Sequence, residues 1–401
     1  MPESSLLGRA RELDELSVAI GDARAGSGGV WLLAGEPGIG KSRLCEEVAR
    51  RAAREGLLVA WGAAWEAGGA PAYWPWLQVL RHILANVAID TLTKQIGAAR
   101  CAPLITLLPE LAEQWAHQLG PERDPKVARF ALLDAITAVL MNAAREKPCF
   151  IVLEDLHAAD PESIELIEFA AAALRSSAIT IVGTFREAEA AKSQSAAAFQ
   201  RITGRAHTLT LQRLRRHEVA AHLESVIGEA PPDPLLSAVY DATEGNPLFL
   251  VETTRLLLAR GTQAGVQLPS SVRAAIRERL SALPSSAGEV CEMASVIGRE
   301  FLRTTLASMS GRQPVELAVP LAAAIDAAVL FEVAPGDYRF THGLFRDVLY
   351  TDLEPLRREQ FHRTLADTLQ RDGASLSEIA HHYLEAGSGA RTVAIEGARA
   401  A

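Results

Sequence analysis

Short apolar runs alternate with amphipathic segments over the first half of the chain. Continuous apolar runs predict buried strands at residues 30–34, 57–61, 149–153 and 179–184, and a weaker fifth strand at 207–211. Apolar residues at helical spacing predict helices before and between these runs, for example from about residue 41 to residue 55. Strand, helix and strand in this order form the unit of a parallel sheet. The pattern therefore predicts an α/β domain over residues 1–213.

Strand patterns nearly vanish beyond residue 214. Helices are predicted at residues 218–227, 234–242, 247–260 and 270–283, with a linker at 262–265. A hairpin is predicted at 329–340, and helices continue through residue 370. A hairpin after helices is the outline of a winged helix. We therefore predict a helical lid over 214–264, a winged-helix domain over 265–370 and the start of a helical-repeat region over 371–401.

Composition narrows the class of protein. Hydrophobic residues make up 49% of the 401 residues and charged residues 22%, as in a globular chain with a large core. The net charge of −9 argues against general binding to nucleic acid, because phosphate contacts need a basic surface. Four widely spaced cysteines favour a reducing compartment. Without a basic leader or an apolar run near the roughly 20 residues that span a bilayer, we expect a cytoplasmic protein with no membrane partner.

The strongest motif follows the first predicted strand. Residues 35–42 read GEPGIGKS and match the phosphate-binding pattern G-x-x-x-x-G-K-[ST] in full. Its glycines allow backbone N–H groups to surround a phosphate, and the N-terminus of the next helix adds its positive dipole end. Lys41 supplies a cation for the β- and γ-phosphates, and the Ser42 hydroxyl suits Mg²⁺. The nucleotide-binding residues predicted here are Gly35, Gly38, Ile39, Gly40, Lys41, Ser42 and Arg43.

Two acids, Glu154 and Asp155, end the third predicted strand. In a P-loop protein the first acid holds Mg²⁺, and the second can orient and deprotonate the attacking water. We therefore predict Ser42 and Glu154 as metal ligands, and Asp155, Glu154 and Lys41 as catalytic residues. The alternative is that the acids are only a polar strand end. Because Glu154 stands where Asp is usual, we expect an altered metal position and slow hydrolysis.

Two further residues are candidates for reading the nucleotide. Arg186 follows the fourth predicted strand, where a guanidinium can reach the γ-phosphate; a surface arginine is the alternative. Pro247 stands in a Gly-x-Pro turn that opens a helix of the predicted lid, where it can pack against an adenine. By itself that turn is typical of an ordinary helix cap.

Together these motifs resemble the signal-transduction ATPases with numerous domains, the STAND class. The likeness is greatest to the branch found in large ATP-binding LuxR-type regulators, the maltose-regulon activator and the ATPase regions attached to bacterial adenylate cyclases. The resemblance implies that Gly8 and Arg9 contact the base and ribose region, although Ala10 replaces an expected Glu. Ala158 stands where Trp is common. The matching segments run along nearly the whole chain and are residues 6–13, 35–42, 153–160, 184–186, 245–247 and 338–347.

The resemblance also implies a role for His342. It falls at the histidine of the MHD motif, which reaches a nucleotide phosphate in the closed, ADP-bound form; Gly343 replaces the Asp of that motif. The alternative for His342 is a core or capping residue of the winged helix. The class implies an ATP-binding switch that ADP closes and ATP opens, with Mg²⁺, slow hydrolysis and a possible nucleotide-dependent homo-oligomer. Its sensor and effector domains are expected outside this chain.

Two other functions stay open. A mechanical ring ATPase of the AAA⁺ type needs an arginine finger supplied in trans and a substrate pore loop, and neither can be assigned in this sequence. A DNA-binding regulator acting through the winged helix needs a basic surface, but residues 265–370 contain 11 arginines and no lysine against 13 acidic residues. Sizing with ATP, with ADP and with a non-hydrolysable analogue tests the ring ATPase, and a shift assay at low salt tests the regulator.

Overall fold

The computed structural model describes residues 6–64, 71–118, 124–260, 272–374 and 376–387. The chain divides into two compact units, of which the first contains residues 1–67 and 72–212 and the second residues 68–71 and 213–401. The predicted linker at 262–265 and the tail beyond residue 387 lie outside the described residues. The division of the second unit into a lid, a winged-helix domain and a repeat region stays a prediction.

A parallel sheet of five strands forms the centre of the first unit. Its strands are β1 (Gly29–Ala34), β2 (Leu58–Ala63), β3 (Cys149–Glu154), β4 (Ile179–Phe185) and β5 (His207–Thr210). They lie in the order β2-β3-β4-β1-β5, with parallel pairing throughout. Both β3 and β4 are buried along their whole length, which is why their sequences are continuous apolar runs instead of alternating patterns. All five strands agree with the prediction to within two residues.

Helices cover both faces of this sheet. On one face, Leu16 of the first helix and Val48 of the second pack with Leu33 and Val152. The opposite face carries Trp76 and its neighbours. The helices of the first unit are α1 (Ala10–Arg24), α2 (Lys41–Arg54), α3 (Trp74–Asn86), α4 (Ile89–Ile96), α5 (Ala98–Cys101), α6 (Ala112–Trp115), α7 (Pro125–Glu146), α8 (Pro161–Leu174), α9 (Glu187–Ala190) and α10 (Ala196–Thr203).

Helix α7 is the longest helix described in the first unit. Among the described residues it is the one helix that is long and apolar enough to cross a membrane by length and composition alone, with 22 residues and a mean hydropathy of 1.5 over its most apolar stretch. The expectation that no uninterrupted apolar run approaches 20 residues stands, because Arg129 and Asp134 interrupt this helix. Half of its most apolar stretch is buried, as in a helix packed within a protein core.

The second unit is helical apart from a small antiparallel sheet. Its strands β6 (Glu300–Leu302), β7 (Leu330–Ala334) and β8 (Asp337–Phe340) lie in the order β6-β8-β7. The predicted hairpin is β7 with β8, whereas β6 is too short to have a recognisable period. The assignment to the winged-helix class remains a prediction. The helices are α11 (Arg216–Ile227), α12 (Asp233–Thr243), α13 (Pro247–Arg260), α14 (Val272–Ser281), α15 (Ser285–Ile297), α16 (Arg303–Ser310), α17 (Ala318–Asp326), α18 (Gly343–Asp352), α19 (Pro355–Arg371) and α20 (Leu376–Glu385).

A buried ion pair joins helices within the second unit. The Arg279 guanidinium of α14 pairs with Glu252 of α13, and the side chains are 12% and 5% exposed. Arg279 also donates hydrogen bonds to the carbonyl oxygen of Ala327, just after α17. Its guanidinium carbon lies 5.0 Å from the centre of the Phe345 ring of α18. One arginine thus contacts α13, α18 and the residue that follows α17.

Candidate nucleotide-binding site

Three strand ends meet at the carboxyl edge of the parallel sheet. In the β1–β4 ladder Ala34 pairs with Phe185, and in the β3–β4 ladder Leu153 pairs with Gly183. Neighbouring strands lie about 4.8 Å apart, so the residues at and just after the ends of β1, β4 and β3 emerge side by side. They are the P-loop (residues 35–42), Arg186 and the acid pair. Ligands of parallel α/β sheets bind at this edge.

The P-loop is held by its own lysine. Lys41 Nζ donates hydrogen bonds to the carbonyl oxygens of Gly35 at 2.8 Å and Glu36 at 3.1 Å, and the lysine is buried. Gly40, just before α2, has a φ of 102°, a conformation that favours glycine. Glycine has no side chain that can cap the helix, so the N-terminus of α2 suits an anion.

Arg9 connects the N-terminal segment to this loop. Its guanidinium donates hydrogen bonds to the carbonyl oxygens of Ile39 at 3.0 Å and Gln212 at 2.7 Å, and it pairs with Glu12 at 3.0 Å. Arg9 is only 4% exposed. These contacts fix the chain next to Gly8 against the P-loop. A contact of Gly8 and Arg9 with the nucleotide stays a prediction.

The two acids are adjacent but have different surroundings. Glu154, the last residue of β3, is 3% exposed. Asp155 is partly buried and has a φ of 54°, a left-handed conformation that Asp and Asn tolerate better than most residues. Its backbone N–H donates to Thr184 Oγ1 at 3.0 Å. Burial raises the pKa of the Cys45 thiol on α2 well above its usual value, and the charge of Glu154 raises it further, so this thiol stays neutral.

Arg186 follows β4 and is paired with an acid. Its Nη1 lies 3.1 Å from Glu189 Oε1, and Glu189 Oε2 lies 3.0 Å from His157 Nε2. Sequence reasoning assigned no role to Glu189 or His157. The signal for Glu189 was present, because residues three apart at the start of a helix are placed to form an ion pair.

The other predicted P-loop residues have varied environments. Ile39 is buried at 1% exposure, and Ser42 is partly buried in the first turn of α2. Arg43 is exposed and pairs with Glu46 on the same helix at 3.2 Å. Nucleotide contacts by Ser42 and Arg43 stay predictions.

Pro247 and His342 belong to the second unit, and both lie at helix starts. Pro247 begins α13, where Asn246 Oδ1 accepts hydrogen bonds from the N–H groups of Leu248 at 3.1 Å and Phe249 at 3.3 Å. His342 precedes α18, and its Nδ1 accepts from the N–H of Leu344 at 3.1 Å. Both positions have the capping geometry that the sequence analysis kept as the alternative. Contacts of Pro247 and His342 with a nucleotide stay predictions.

Comparison with known proteins defines the class of this site. Residues 5–182 match the family described as the AAA ATPase domain. A crystal structure of a STAND protein with a tetratricopeptide repeat sensor, from Pyrococcus horikoshii, has a TM-score of 0.60 at 14% identity over 96% of this chain and 49% of that one. An uncharacterized protein from Rhizobium meliloti is 26% identical over 388 residues, 90% of this chain and 36% of the relative.

The first unit therefore contains a P-loop ATPase module. More particularly, residues 5–182 match the AAA ATPase domain family, and the fold of the chain is similar to that of a STAND ATPase. The predicted fold class is confirmed to this level. The chain spans about half the length of the STAND structure and about a third of the length of the curated relative.

Proposed function

We propose that this chain is the nucleotide-dependent switch of a larger signalling or transcriptional regulator. The observation that carries the proposal is the meeting of three groups at one sheet edge: the P-loop with Lys41, the acid pair Glu154–Asp155, and Arg186. A phosphate-binding loop needs only the first group. A protein that distinguishes ATP from ADP also needs a group that responds to the γ-phosphate, and we assign this role to Arg186.

The residues present fit an ATP or ADP molecule with Mg²⁺. The buried ammonium of Lys41 and the uncapped N-terminus of α2 provide positive charge at the P-loop. Ser42 and the buried carboxylate of Glu154 offer the oxygen ligands that Mg²⁺ prefers. When bound, the ion neutralises charge on the phosphate oxygens. Asp155 is the base that orients and deprotonates water, and the longer acid at position 154 makes hydrolysis slow.

In this proposal ADP holds the chain closed and ATP opens it. Pro247 is assigned to the adenine and His342 to the phosphate of ADP, as the resemblance to the STAND class implies. Slow hydrolysis suffices, because each turnover resets a state and the ligand need only bind one state better than the other. The input and output belong to sensor and effector regions, as in the LuxR-type regulators that the sequence resembles. A repeat sensor is named in the Pyrococcus horikoshii protein. The protein acts in the cytoplasm, and a nucleotide-dependent homo-oligomer is part of the proposal.

Calorimetry with Mg·ATP and Mg·ADP on the purified chain tests the binding site. Charge-assisted contacts of Lys41 contribute about 1.5–3 kcal/mol, so Lys41→Ala should weaken ATP binding at least about tenfold and abolish turnover. Lys94→Ala is the matched control, because Lys94 is an exposed lysine of α4. Unchanged ATP affinity in Lys41→Ala would remove the P-loop assignment.

The switch itself needs a separate measurement. Small-angle scattering of the wild type with ADP should give a more compact particle than scattering with a non-hydrolysable ATP analogue. Identical scattering profiles with the two nucleotides, both at saturating concentration, would leave a nucleotide-binding protein that is not a switch. Identification of the nucleotide that co-purifies adds an independent check, and the closed state predicts ADP.

A further inference from the structure

One carboxylate is shared between the arginine after β4 and a histidine after β3. Glu189 lies 3.1 Å from the Arg186 guanidinium through Oε1 and 3.0 Å from His157 Nε2 through Oε2. The side chains differ in burial, at 2% exposure for His157, 18% for Arg186 and 49% for Glu189. The series of contacts therefore runs from the buried end of β3 to a partly exposed arginine.

Two further contacts fix the backbone segments that carry these side chains. The N–H of Asp155 donates to Thr184 Oγ1 at 3.0 Å. A Cβ added at Gly183 would lie 2.4 Å from Leu156 Cδ1, so the absence of a side chain there allows Leu156 to pack directly on β4. The segment that carries His157 is thereby fixed to the strand that leads to Arg186. Glu189 sits in a defined position between the two.

We propose that Glu189 is a positioning residue that holds Arg186 until a γ-phosphate takes its place. This inference rests on the proposed function, in which Arg186 responds to the γ-phosphate. A guanidinium binds carboxylate and phosphate oxygens through the same planar set of donors, so it cannot pair fully with both. ATP must therefore displace Glu189 from Arg186, whereas ADP leaves the pair intact. Glu189 is three residues from Arg186 on the same short segment, so the pair re-forms after the γ-phosphate is lost.

The strength of the pair suits this exchange. Exposed ion pairs contribute little to stability, a fraction of what a charge-assisted contact to phosphate contributes. The pair with Glu189 is thus weak enough for a γ-phosphate to displace, and strong enough to lower the affinity for ATP. From the typical strength of exposed pairs, removal of the Glu189 charge should raise ATP affinity roughly twofold to fivefold and leave ADP affinity unchanged.

The test compares dissociation constants for ADP and for a non-hydrolysable ATP analogue, both with Mg²⁺, in the full chain. Glu189→Gln should raise the preference for the ATP analogue by roughly twofold to fivefold. Glu187→Gln is the matched control, because it removes the same charge from an exposed position of the same helix. It should move both dissociation constants by the same factor. A merely structural role of Glu189 would likewise move both constants together, and that result would overturn the inference.

The Arg186→Ala background separates this inference from the proposed function. Arg186→Ala alone should lower the preference for the ATP analogue, and Glu189→Gln should have no further effect on the preference in that background. A wild-type preference in Arg186→Ala would reject Arg186 as the responding group, and with it both proposals. A lowered preference in Arg186→Ala, combined with equal behaviour of Glu189→Gln and Glu187→Gln, would reject only the exchange at Glu189.

Discussion

The backbone N–H of Asp155 donates a hydrogen bond to Thr184 Oγ1 at 3.0 Å, which ties the acid pair to the neighbouring strand β4. Asp155 has a φ of 54°, so a replacement at this position must tolerate a left-handed backbone. Asn does so about as well as Asp. The variant Asp155→Asn therefore removes the carboxylate and leaves the strand ends where they are.

The first prediction is that variants of the two acids have different effects. Asp155→Asn should keep Mg·ATP binding and lower hydrolysis by about 10²–10⁴-fold, the usual contribution of a general base. Glu154→Gln should instead reduce the dependence of ATP binding on Mg²⁺. Turnover assays and magnesium titrations on the same preparations provide both readouts.

A restoring variant and a contradicting result complete this test. Glu154→Asp should hold or raise turnover, because the shorter acid is the usual residue at this position in the class that the sequence resembles. Equal turnover in the wild type and in Asp155→Asn would exclude Asp155 as the base.

The second prediction concerns the buried pair of Glu252 and Arg279. Burial lowers the pKa of Arg279, and the adjacent Glu252 carboxylate opposes that shift. Removal of one partner leaves a buried charge without compensation, so Glu252→Gln should lower the free energy of unfolding of the second unit by about 3–5 kcal/mol. Urea denaturation followed by far-ultraviolet circular dichroism measures this loss.

Another pair on the same helix provides the control. Arg277 of α14 pairs with Asp352 of α18 at 2.7 and 2.8 Å, but these side chains are 53% and 39% exposed. Asp352→Asn should therefore cost about 1 kcal/mol or less. All six tryptophans precede residue 116, so their fluorescence reports the first unit separately. Equal losses in Glu252→Gln and Asp352→Asn would contradict the assigned role of burial.

The third prediction concerns a cluster of histidines between α19 and α20. The Nδ1 atoms of His362 and His382 lie 2.9 Å apart, and His362 Nε2 lies 2.9 Å from Tyr350 Oη. His381 packs against both rings. Only one of two facing nitrogens can donate a hydrogen to the other, so this arrangement requires an acceptor nitrogen without a proton.

The charges around the cluster also favour neutral rings. Burial, and after it the charge of His381, lowers the pKa of His362 to about 3. Burial, and after it the charge of His362, likewise lowers the pKa of His382 to about 3. The charge of Arg346 lowers the pKa of both His362 and His382, and the charge of Arg358 also lowers the pKa of His362. The pKa of His381 is lowered by its burial, and the charge of Glu385 opposes this shift without reversing it.

These shifts predict loss of stability in acid. The folded pKa lies below the unfolded value of about 6.5, so the unfolded chain binds more protons between these two values. The neutral histidines make their full contribution to the free energy of unfolding above pH 6.5. This contribution falls towards pH 3, by about 1.4 kcal/mol per pH unit for each histidine. In urea denaturation between pH 7.5 and 5, His362→Gln should show a shallower pH dependence than the wild type. His217→Gln, at an exposed position of α11, should keep the wild-type slope. A wild-type slope in His362→Gln would contradict the prediction.

Local patterns account for what the sequence could predict. Four of the five parallel strands are largely apolar runs, and the P-loop is a contiguous motif, so both are visible within a few residues. β6 was missed because its three residues form a strand only by pairing with β8, which is distant in the sequence. The contact of His157 with Glu189 depends on the adjacency of β3 and β4, and sheet order is not a local property.

The last prediction separates two roles of His342. Its Nδ1 accepts a hydrogen bond from the N–H of Leu344 at 3.1 Å, which places the proton of the neutral ring on Nε2. In the first role, which we call the latch, the ring N–H donates a hydrogen bond to the β-phosphate of ADP. In the second role, the helix cap, only the acceptor nitrogen is needed. The side-chain oxygen of Asn is a good helix cap, so His342→Asn keeps the capping role and removes the ring donor.

The latch and the cap then predict opposite results for the two substitutions. If His342 is a latch, both His342→Asn and His342→Ala should weaken ADP at least about tenfold more than ATP, because a donor to phosphate contributes about 1.5–3 kcal/mol and acts only in the ADP state. ADP release should become faster, and scattering with ADP should show a less compact particle. If His342 is only a cap, His342→Ala should lower stability by about 0.5–2 kcal/mol, His342→Asn should restore it, and the ratio of the two affinities should not change. Calorimetry with both nucleotides on folded His342→Asn decides between the two roles, and a wild-type ratio in that variant would end the latch hypothesis.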